Sequence, residues 1–428
     1  VITSGAFSGR SYAVYGLARS GLATVEALLA GGASVMAWDE KEEARQKLRP
    51  TAEAALRIAD PLVTSLYGFA GIVVSPGVPL NRHPIAARAR EAKVPLTGDI
   101  ELFAQARASL PPHKVVGITG TNGKSTTTAL IHHIARTAGI PTLMGGNIGL
   151  PILAQDPLPA GGVYVLELSS YQIDLTQSLD CEVAVLLNVS PDHLDRYDGM
   201  DDYAGSKARL FAMQSQRHAA VIAGDDDYTR ALAGAITGRL VLVSARDVKD
   251  SSQWPSLQGP HNAQNVAAAV AAARELGVAD AAIAQALESF PGLPHRMERV
   301  AERGGVLFVN DSKATNPASA APALAAYPAV HWILGGRPKS DDLDACEPWL
   351  GHVRAAYTIG EAGPRFAALL RPRVAVSECG ELGRAVGAAA AAAREGEVVL
   401  LSPACASFDQ FTDYEARGNA FRAAVEAL

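Results

Sequence analysis

Gly120-Thr121-Asn122-Gly123-Lys124-Ser125-Thr126-Thr127 is the stretch on which the reading of this chain turns. The apolar run before it (Val115, Val116, Ile118) predicts a buried strand, and Ala129-Leu130-Ile131 with Ile134-Ala135 after it predicts a helix. A glycine-rich turn between strand and helix aims several backbone N–H groups at one point, where the helix dipole adds positive potential. The Lys124 ammonium suits a β- or γ-phosphate, and the Ser125 hydroxyl is placed to ligate Mg²⁺. The stretch therefore reads as a nucleoside triphosphate site, because strand and helix flank it as that motif requires. Its spacing departs from G-x-x-x-x-G-K-[ST]: Ile118 stands five residues before Gly123, and the glycines fall at 117, 120 and 123.

The 428 residues are enough for two or three domains. With 48% hydrophobic and 19% charged residues the chain reads as an ordinary globular protein. A net charge of −6 argues against non-specific nucleic-acid binding, so any anionic ligand must be held by local loops and a few cations. Cys181, Cys346, Cys379 and Cys405 are far apart and form no C-x-x-C pair, so buried thiols in a reducing compartment are expected rather than a zinc or redox site. The alanine-rich stretch 388–393 is far shorter than the roughly 20 apolar residues that span a bilayer. The N-terminus lacks a basic region followed by an apolar core, and the expectation is a cytoplasmic protein without membrane insertion.

Strand-like runs alternate with alanine-rich helical segments, the pattern of α/β domains with mostly parallel sheets. A first unit holds strands at 12–15, 34–38 and 71–74; a second holds the phosphate loop and strands ending at Glu167 and Asn188. A third starts near Val300, with strands at 306–309, 330–334, 356–359 and 398–401. Several strands end in glycine, aspartate or serine, where open α/β sheets place their ligands. The charged segment 41–59 predicts a solvated helix without chemistry.

In the first unit, Gly16-x-Ala18-x-x-Gly21 is a weakened dinucleotide fingerprint, and Asp39 ends the second strand, where such folds bind a ribose. The Cβ of Ala18 would crowd a pyrophosphate, which favours a uridine diphosphate on the same helix N-terminus over NAD. In the second unit Glu167 closes an apolar strand as a metal-binding acid does in many ATPases, and His193 follows the next strand. Lone loop histidines are commonly surface residues, but two strand ends flanking a phosphate loop favour Mg²⁺ ligation.

Nine segments taken together resemble the Mur ligase family of ATP-dependent ligases. They are GTNGKST, GGNIG (145–149), LELSSYQ (166–172), NVSPDHLDRY (188–197), GPHNAQN (259–265), LPHRME (293–298), VNDSKATN (309–316), LGGRPK (334–339) and SPACASFDQF (402–411). The likeness spans nearly the whole chain. It implies three α/β domains: a Rossmann-like UDP-binding domain (1–99), a P-loop ATPase-like domain (100–297) and a Rossmann-like amino-acid-binding domain (298–428). A folylpolyglutamate synthetase would carry its phosphate loop near the N-terminus, without a domain in front.

The implied reaction joins D-glutamate to UDP-N-acetylmuramoyl-L-alanine through an acyl phosphate; the alternative is a Mur or folylpolyglutamate-type ligase using another amino acid. By resemblance, Gly120, Thr121, Asn122, Gly123, Lys124, Ser125, Thr126, Asn262, Asn265, Arg296 and Asp311 handle ATP. Two Mg²⁺ ions fall to Ser125, Glu167, His193 and Lys207, the last carrying a CO₂-derived carbamate; Lys124, Glu167, His193 and Lys207 form the catalytic group. Gly16, Ser20, Gly21, Asp39, Ser75, Gly77 and Asn147 are implied for the UDP-substrate, and Lys313, Thr315, Lys339, Ser407 and Tyr414 for the amino acid. Tyr414 stands where the family is expected to carry Phe, and Arg337-Pro338 replaces a glycine-rich form. The resemblance also implies a monomer and a third domain that swings in to complete the site. Two other classes make different demands: a switch or transport ATPase would turn over ATP without an amino acid, and an NAD-linked protein would leave Lys124, Glu167 and His193 without a task.

Overall fold

The computed structural model describes residues 1–48, 55–192 and 194–428, which form two compact units: residues 1–249 with 264–287, and 250–263 with 288–428. The first unit holds two sheets. One consists of β1 (Ser11–Tyr15), β2 (Ser34–Trp38), β3 (Leu56–Ile58), β4 (Phe69–Val74) and β5 (Leu96–Thr97), ordered β3-β2-β1-β4-β5 and parallel throughout. The other consists of β6 (His113–Thr119), β7 (Thr142–Gly146), β8 (Gly162–Glu167), β9 (Val183–Leu186), β10 (Ala219–Ala223) and β11 (Arg239–Val243), ordered β11-β10-β9-β6-β8-β7, again parallel. One continuous core joins the two sheets, with Val14 and Val35 of the first clustering with Val115, Tyr164 and Leu186 of the second.

The second unit holds β12 (Glu298–Arg303), β13 (Val306–Asn310), β14 (Val330–Gly335), β15 (Val353–Ile359), β16 (Ala375–Gly380) and β17 (Val398–Leu401). Their order is β12-β13-β17-β14-β15-β16, with only β12 antiparallel. Both faces are covered, one by a cluster around Trp332 and Phe366, the other by one around Phe308 and Phe421. Helix-covered parallel strands are apolar on both sides, which is why β8, β9, β14 and β17 are buried from end to end.

The mostly parallel α/β architecture agrees with the sequence reading. One expectation is corrected: segment 41–59 is not a single solvated helix. A short exposed helix, Glu42–Arg45, is followed by β3, whose Leu56 pairs with Val35; residues 49–54 lie outside the described residues. Leu56-Arg57-Ile58 joins an existing sheet edge, where ladder bonding outweighs the local helical bias of the charged stretch before it. Among the described residues, no helix is long and apolar enough to cross a membrane, and all four cysteines are buried free thiols.

Candidate active site

β6 lies between β8 and β9, so loops leaving the C-terminal ends of three adjacent parallel strands open at one edge. The loop after β6 is the 120–127 stretch. Gly123 caps helix Lys124–Thr137 in the left-handed conformation (φ 84°), and a Cβ there would run into Asn265 Oδ1. Three neighbours brace the loop. Asn188 accepts from Thr121 N through its carbonyl (2.8 Å) and from Asn122 N through Oδ1 (2.8 Å), while its Nδ2 donates to Asn122 O (3.2 Å). Thr121 Oγ1 accepts from Ser190 N (3.0 Å) and meets the Tyr203 hydroxyl (3.2 Å). Ser125 and the buried Thr126 occupy the helix's first turn, and Lys124 Nζ donates to Gly120 O (2.9 Å) and Thr121 O (2.8 Å).

Lys207, on helix Met200–Ala212, reaches the same loop. Its Nζ donates to Gly120 O (3.0 Å), lies 4.4 Å from the centre of the Tyr203 ring, and is 1% exposed. Burial first, and then the nearby Lys124 charge, hold this amine well below the ordinary lysine range, with Asp192 and Asp174 pulling the other way. Glu167, at the end of β8, is 2% exposed: Oε1 accepts from Asn147 Nδ2 (2.9 Å), and Oε2 is buried with no hydrogen-bond partner among the described residues. An orphaned carboxylate oxygen is costly unless something pairs with it, and a hard cation at this edge would do so. Among the described residues no three His, Cys, Asp or Glu side chains cluster as a metal cage, and His193 lies outside the described residues.

At the first sheet, the turn after β1 is held from two sides. Asp39 Oδ2 accepts from Leu17 N (2.6 Å), and Ser75 Oγ donates to Gly16 O (2.9 Å). Gly21 must lack a Cβ because helix Arg19–Ala30, which also carries Ser20, packs directly on the Gly16 carbonyl. Asp39 thus braces the turn expected to receive a diphosphate. Gly77, in the loop after β4, accepts a bond from Arg196 (2.8 Å). Asn147 gives its amide to Glu167, a connection with no sequence signature.

In the second unit, β13, β17 and β14 are adjacent, which gathers the loops beginning at Asp311, Ser402 and Gly336. Asp311 is buried; Oδ2 accepts from Ser402 Oγ (2.8 Å) and Oδ1 from Met297 N (3.2 Å). Burial pushes its carboxyl up to about 7, against the pull of the Ser402 hydrogen bond and then of Arg296. Arg296 sits between two residues in the left-handed region, His295 (φ 61°) and Met297 (φ 48°). Lys339 Nζ donates to Thr315 Oγ1 (3.4 Å), and Lys313 Nζ stands 4.0 Å from the centre of the Tyr414 ring. The Tyr414 hydroxyl donates to Glu415 Oε1 (3.1 Å). Arg337 and Ala406 exchange backbone bonds (2.9 and 3.0 Å), tying the loop of Lys339 to that of the buried Ser407. Helix Pro260–Glu275 carries both asparagines expected for ATP: Asn262 donates to Gln258 O (2.9 Å), while Asn265 Oδ1 accepts from Thr127 Oγ1 (3.3 Å).

The Mur ligase middle domain matches residues 118–254, and the Mur ligase glutamate ligase domain matches residues 295–405. The chain is 65% identical to the UDP-N-acetylmuramoylalanine–D-glutamate ligase of Novosphingobium aromaticivorans, over 100% of this chain and 97% of that protein. The chain belongs to the Mur ligase family. Proteins of the same name from Sphingopyxis alaskensis (63%) and Zymomonas mobilis (59%) match this Mur ligase over the full length of both partners. Its fold is like that of two solved structures. These are the UDP-N-acetylmuramate–alanine ligase MurC of Thermotoga maritima (TM-score 0.60, 17% identity, 98% of this chain and 99% of that one) and MurF of Acinetobacter baumannii (0.59, 20%, 98% and 93%).

Arg417 in this Mur ligase escaped the sequence reading. It is 1% exposed, donates to Ser312 Oγ (3.0 Å), Ser312 O (2.9 Å), Cys405 O (3.0 Å) and Ala406 O (3.3 Å), and so joins the loops after β13 and β17. Only its place in an otherwise apolar helical face, three residues after Tyr414, hinted at burial.

Proposed function

We propose that this chain is an ATP-dependent ligase that joins D-glutamate to UDP-N-acetylmuramoyl-L-alanine in peptidoglycan precursor synthesis. The full-length match to relatives bearing that name, at 59–65% identity, carries this reading. The carboxylate of the UDP-substrate attacks the γ-phosphorus and ADP leaves, giving an acyl phosphate. The D-glutamate amine then attacks that carbonyl, loses a proton, and the tetrahedral intermediate collapses to an amide with release of phosphate. Lys124 exchanges the carbonyls of its own loop for phosphate oxygens, and the N–H groups at the start of helix Lys124–Thr137 face the same anion.

The donors fit Mg²⁺: Ser125, Glu167, whose buried Oε2 has no partner among the described residues, His193, and Lys207 as a carbamate. Two such ions would offset the repulsion between an anionic nucleophile and a triphosphate. Carbamate formation needs a neutral amine, and burial supplies one at Lys207; nitrogen bonds to the carbon of CO₂ and a proton is released. The cation becomes an anion that can share a metal with His193. Asn262 and Asn265 take the adenine, Arg296 and Asp311 the nucleotide. Gly16, Ser20, Gly21, Asp39, Ser75, Gly77 and Asn147 take the UDP-substrate. D-Glutamate brings two carboxylates, which suits Lys339, Thr315 and Ser407, with Tyr414 alongside and Lys313 near the reacting phosphate. We assign the three tasks to residues 1–99, 100–297 and 298–428 of a cytoplasmic monomer.

Phosphate release with ATP, Mg²⁺ and UDP-N-acetylmuramoyl-L-alanine tests the reading. Release should depend on D-glutamate and not on L-glutamate, L-alanine or meso-diaminopimelate; release indifferent to the amino acid would sink it.

A further inference from the structure

We infer that Arg196 is a positioning residue whose guanidinium locks the 75–79 loop of the first sheet, proposed to carry the UDP-substrate, to the 188–197 loop that bears His193. Arg196 Nη1 donates to Val78 O (3.0 Å) and Nη2 to Gly77 O (2.8 Å), so one planar fork spans two consecutive carbonyls. Its guanidinium also lies 4.5 Å from the centre of the Tyr171 ring, on helix Ser170–Asp174, four residues beyond Glu167. Tyr171 stacks in turn on Tyr197 (6.1 Å between centroids, 12° between planes). A second tie runs from the opposite side, where Asn81 Nδ2 donates to Asp195 O (2.9 Å).

Three segments proposed to serve the reaction therefore meet on one side chain: the loop of Ser75 and Gly77, the segment following Glu167, and the loop of His193. The 75–79 loop keeps its own turn, Val78 N to Ser75 O at 3.0 Å, without help from Arg196. What Arg196 adds is the distance between that loop and the metal-binding edge of the second sheet. A nucleophilic carboxylate carried by the UDP-substrate must stand in line with a phosphate held at that edge, and small misplacements cost rate steeply. Lysine could keep the charge but not the two-carbonyl fork.

The inference rests on the proposed reading, so its test separates the two. UDP-N-acetylmuramoyl-L-alanine and ADP are titrated separately, by calorimetry, into wild-type protein, Arg196→Ala, Arg196→Lys and Asn81→Ala, with thermal melting alongside. In Arg196→Ala the affinity for UDP-N-acetylmuramoyl-L-alanine should fall about 10-fold or more while ADP affinity holds, and kcat should fall by roughly 10- to 100-fold. Arg196→Lys should stay closer to the alanine variant than to wild type. Asn81→Ala, an exposed change that leaves the core intact, should give a smaller loss with the same selectivity. Equal weakening of both ligands, no weakening of either, or full recovery in Arg196→Lys would overturn the role of Arg196. Failure of the wild-type protein to bind UDP-N-acetylmuramoyl-L-alanine would instead overturn the proposed function, and this inference with it.

Discussion

Lys207 and Asp311 are both buried ionisable groups, and burial pushes each toward its neutral form with a different consequence. For Lys207 the consequence is chemical: a neutral amine can take up CO₂, and the adduct would offer the anionic oxygens that Mg²⁺ favours. Lys207→Ala should lose activity by on the order of 100-fold or more and be partly rescued by a small added carboxylate; full activity in that variant would reject the carbamate. For Asp311 the consequence is thermodynamic. Its carboxyl rises from 3.8 unfolded to about 7 folded, so its stabilising share is complete below 3.8 and disappears as pH rises through about 7. Asp99, buried at the start of helix Asp99–Ala106 and raised to about 6 chiefly by burial, acts in the same direction. In urea unfolding at a series of pH values, wild type should lose, relative to Asp311→Asn, on the order of a few kcal/mol between pH 4 and 8. Parallel pH curves for the two proteins would contradict this.

Among the elements, the loops after β13 and β17 depend on one guanidinium. Replacing Arg417 by Met keeps an apolar stem of similar length but leaves the carbonyls of Ser312, Cys405 and Ala406 without this donor. The expected cost is about 3 kcal/mol or more in denaturant unfolding, with a raised KM for D-glutamate because Ser407 and Lys313, proposed to serve that substrate, lie on those loops. Unchanged stability would mean that the loops hold themselves. The same scale explains what the sequence revealed. Central strands such as Val163–Leu166 and Val398–Leu401 were legible because burial on both faces makes them continuous apolar runs. The edges were not: Arg239–Val243 and Ala375–Gly380 are largely exposed, and Glu298–Arg303 is mostly charged. Segment 41–59 misled because its charge pattern outweighed the three residues of β3.

For the whole molecule, the candidate site was legible where chemistry demands particular residue types at fixed spacing, as in the 120–127 loop and at Glu167. It was illegible where a side chain serves the backbone of a segment distant in sequence. Asn188 bracing Asn122, Arg196 reaching Gly77 and Arg417 reaching Cys405 carry no local pattern, because their partners are carbonyls and N–H groups that every residue possesses. Asn147 is the mixed case, named through the resemblance for the UDP-substrate yet bonded to the Glu167 carboxylate, a link the sequence does not show. Coupling of ATP cleavage to one particular amide bond sets the proposed chemistry of this chain apart. Its most direct test incubates the purified protein with ATP, Mg²⁺, UDP-N-acetylmuramoyl-L-alanine labelled with ¹⁸O in the alanyl carboxylate, and either D- or L-glutamate. Mass spectrometry then follows product and phosphate. With D-glutamate the amide should form and one ¹⁸O should be transferred to each phosphate released, with neither product from L-glutamate; amide formation from L-glutamate, or phosphate free of ¹⁸O, would contradict this coupling.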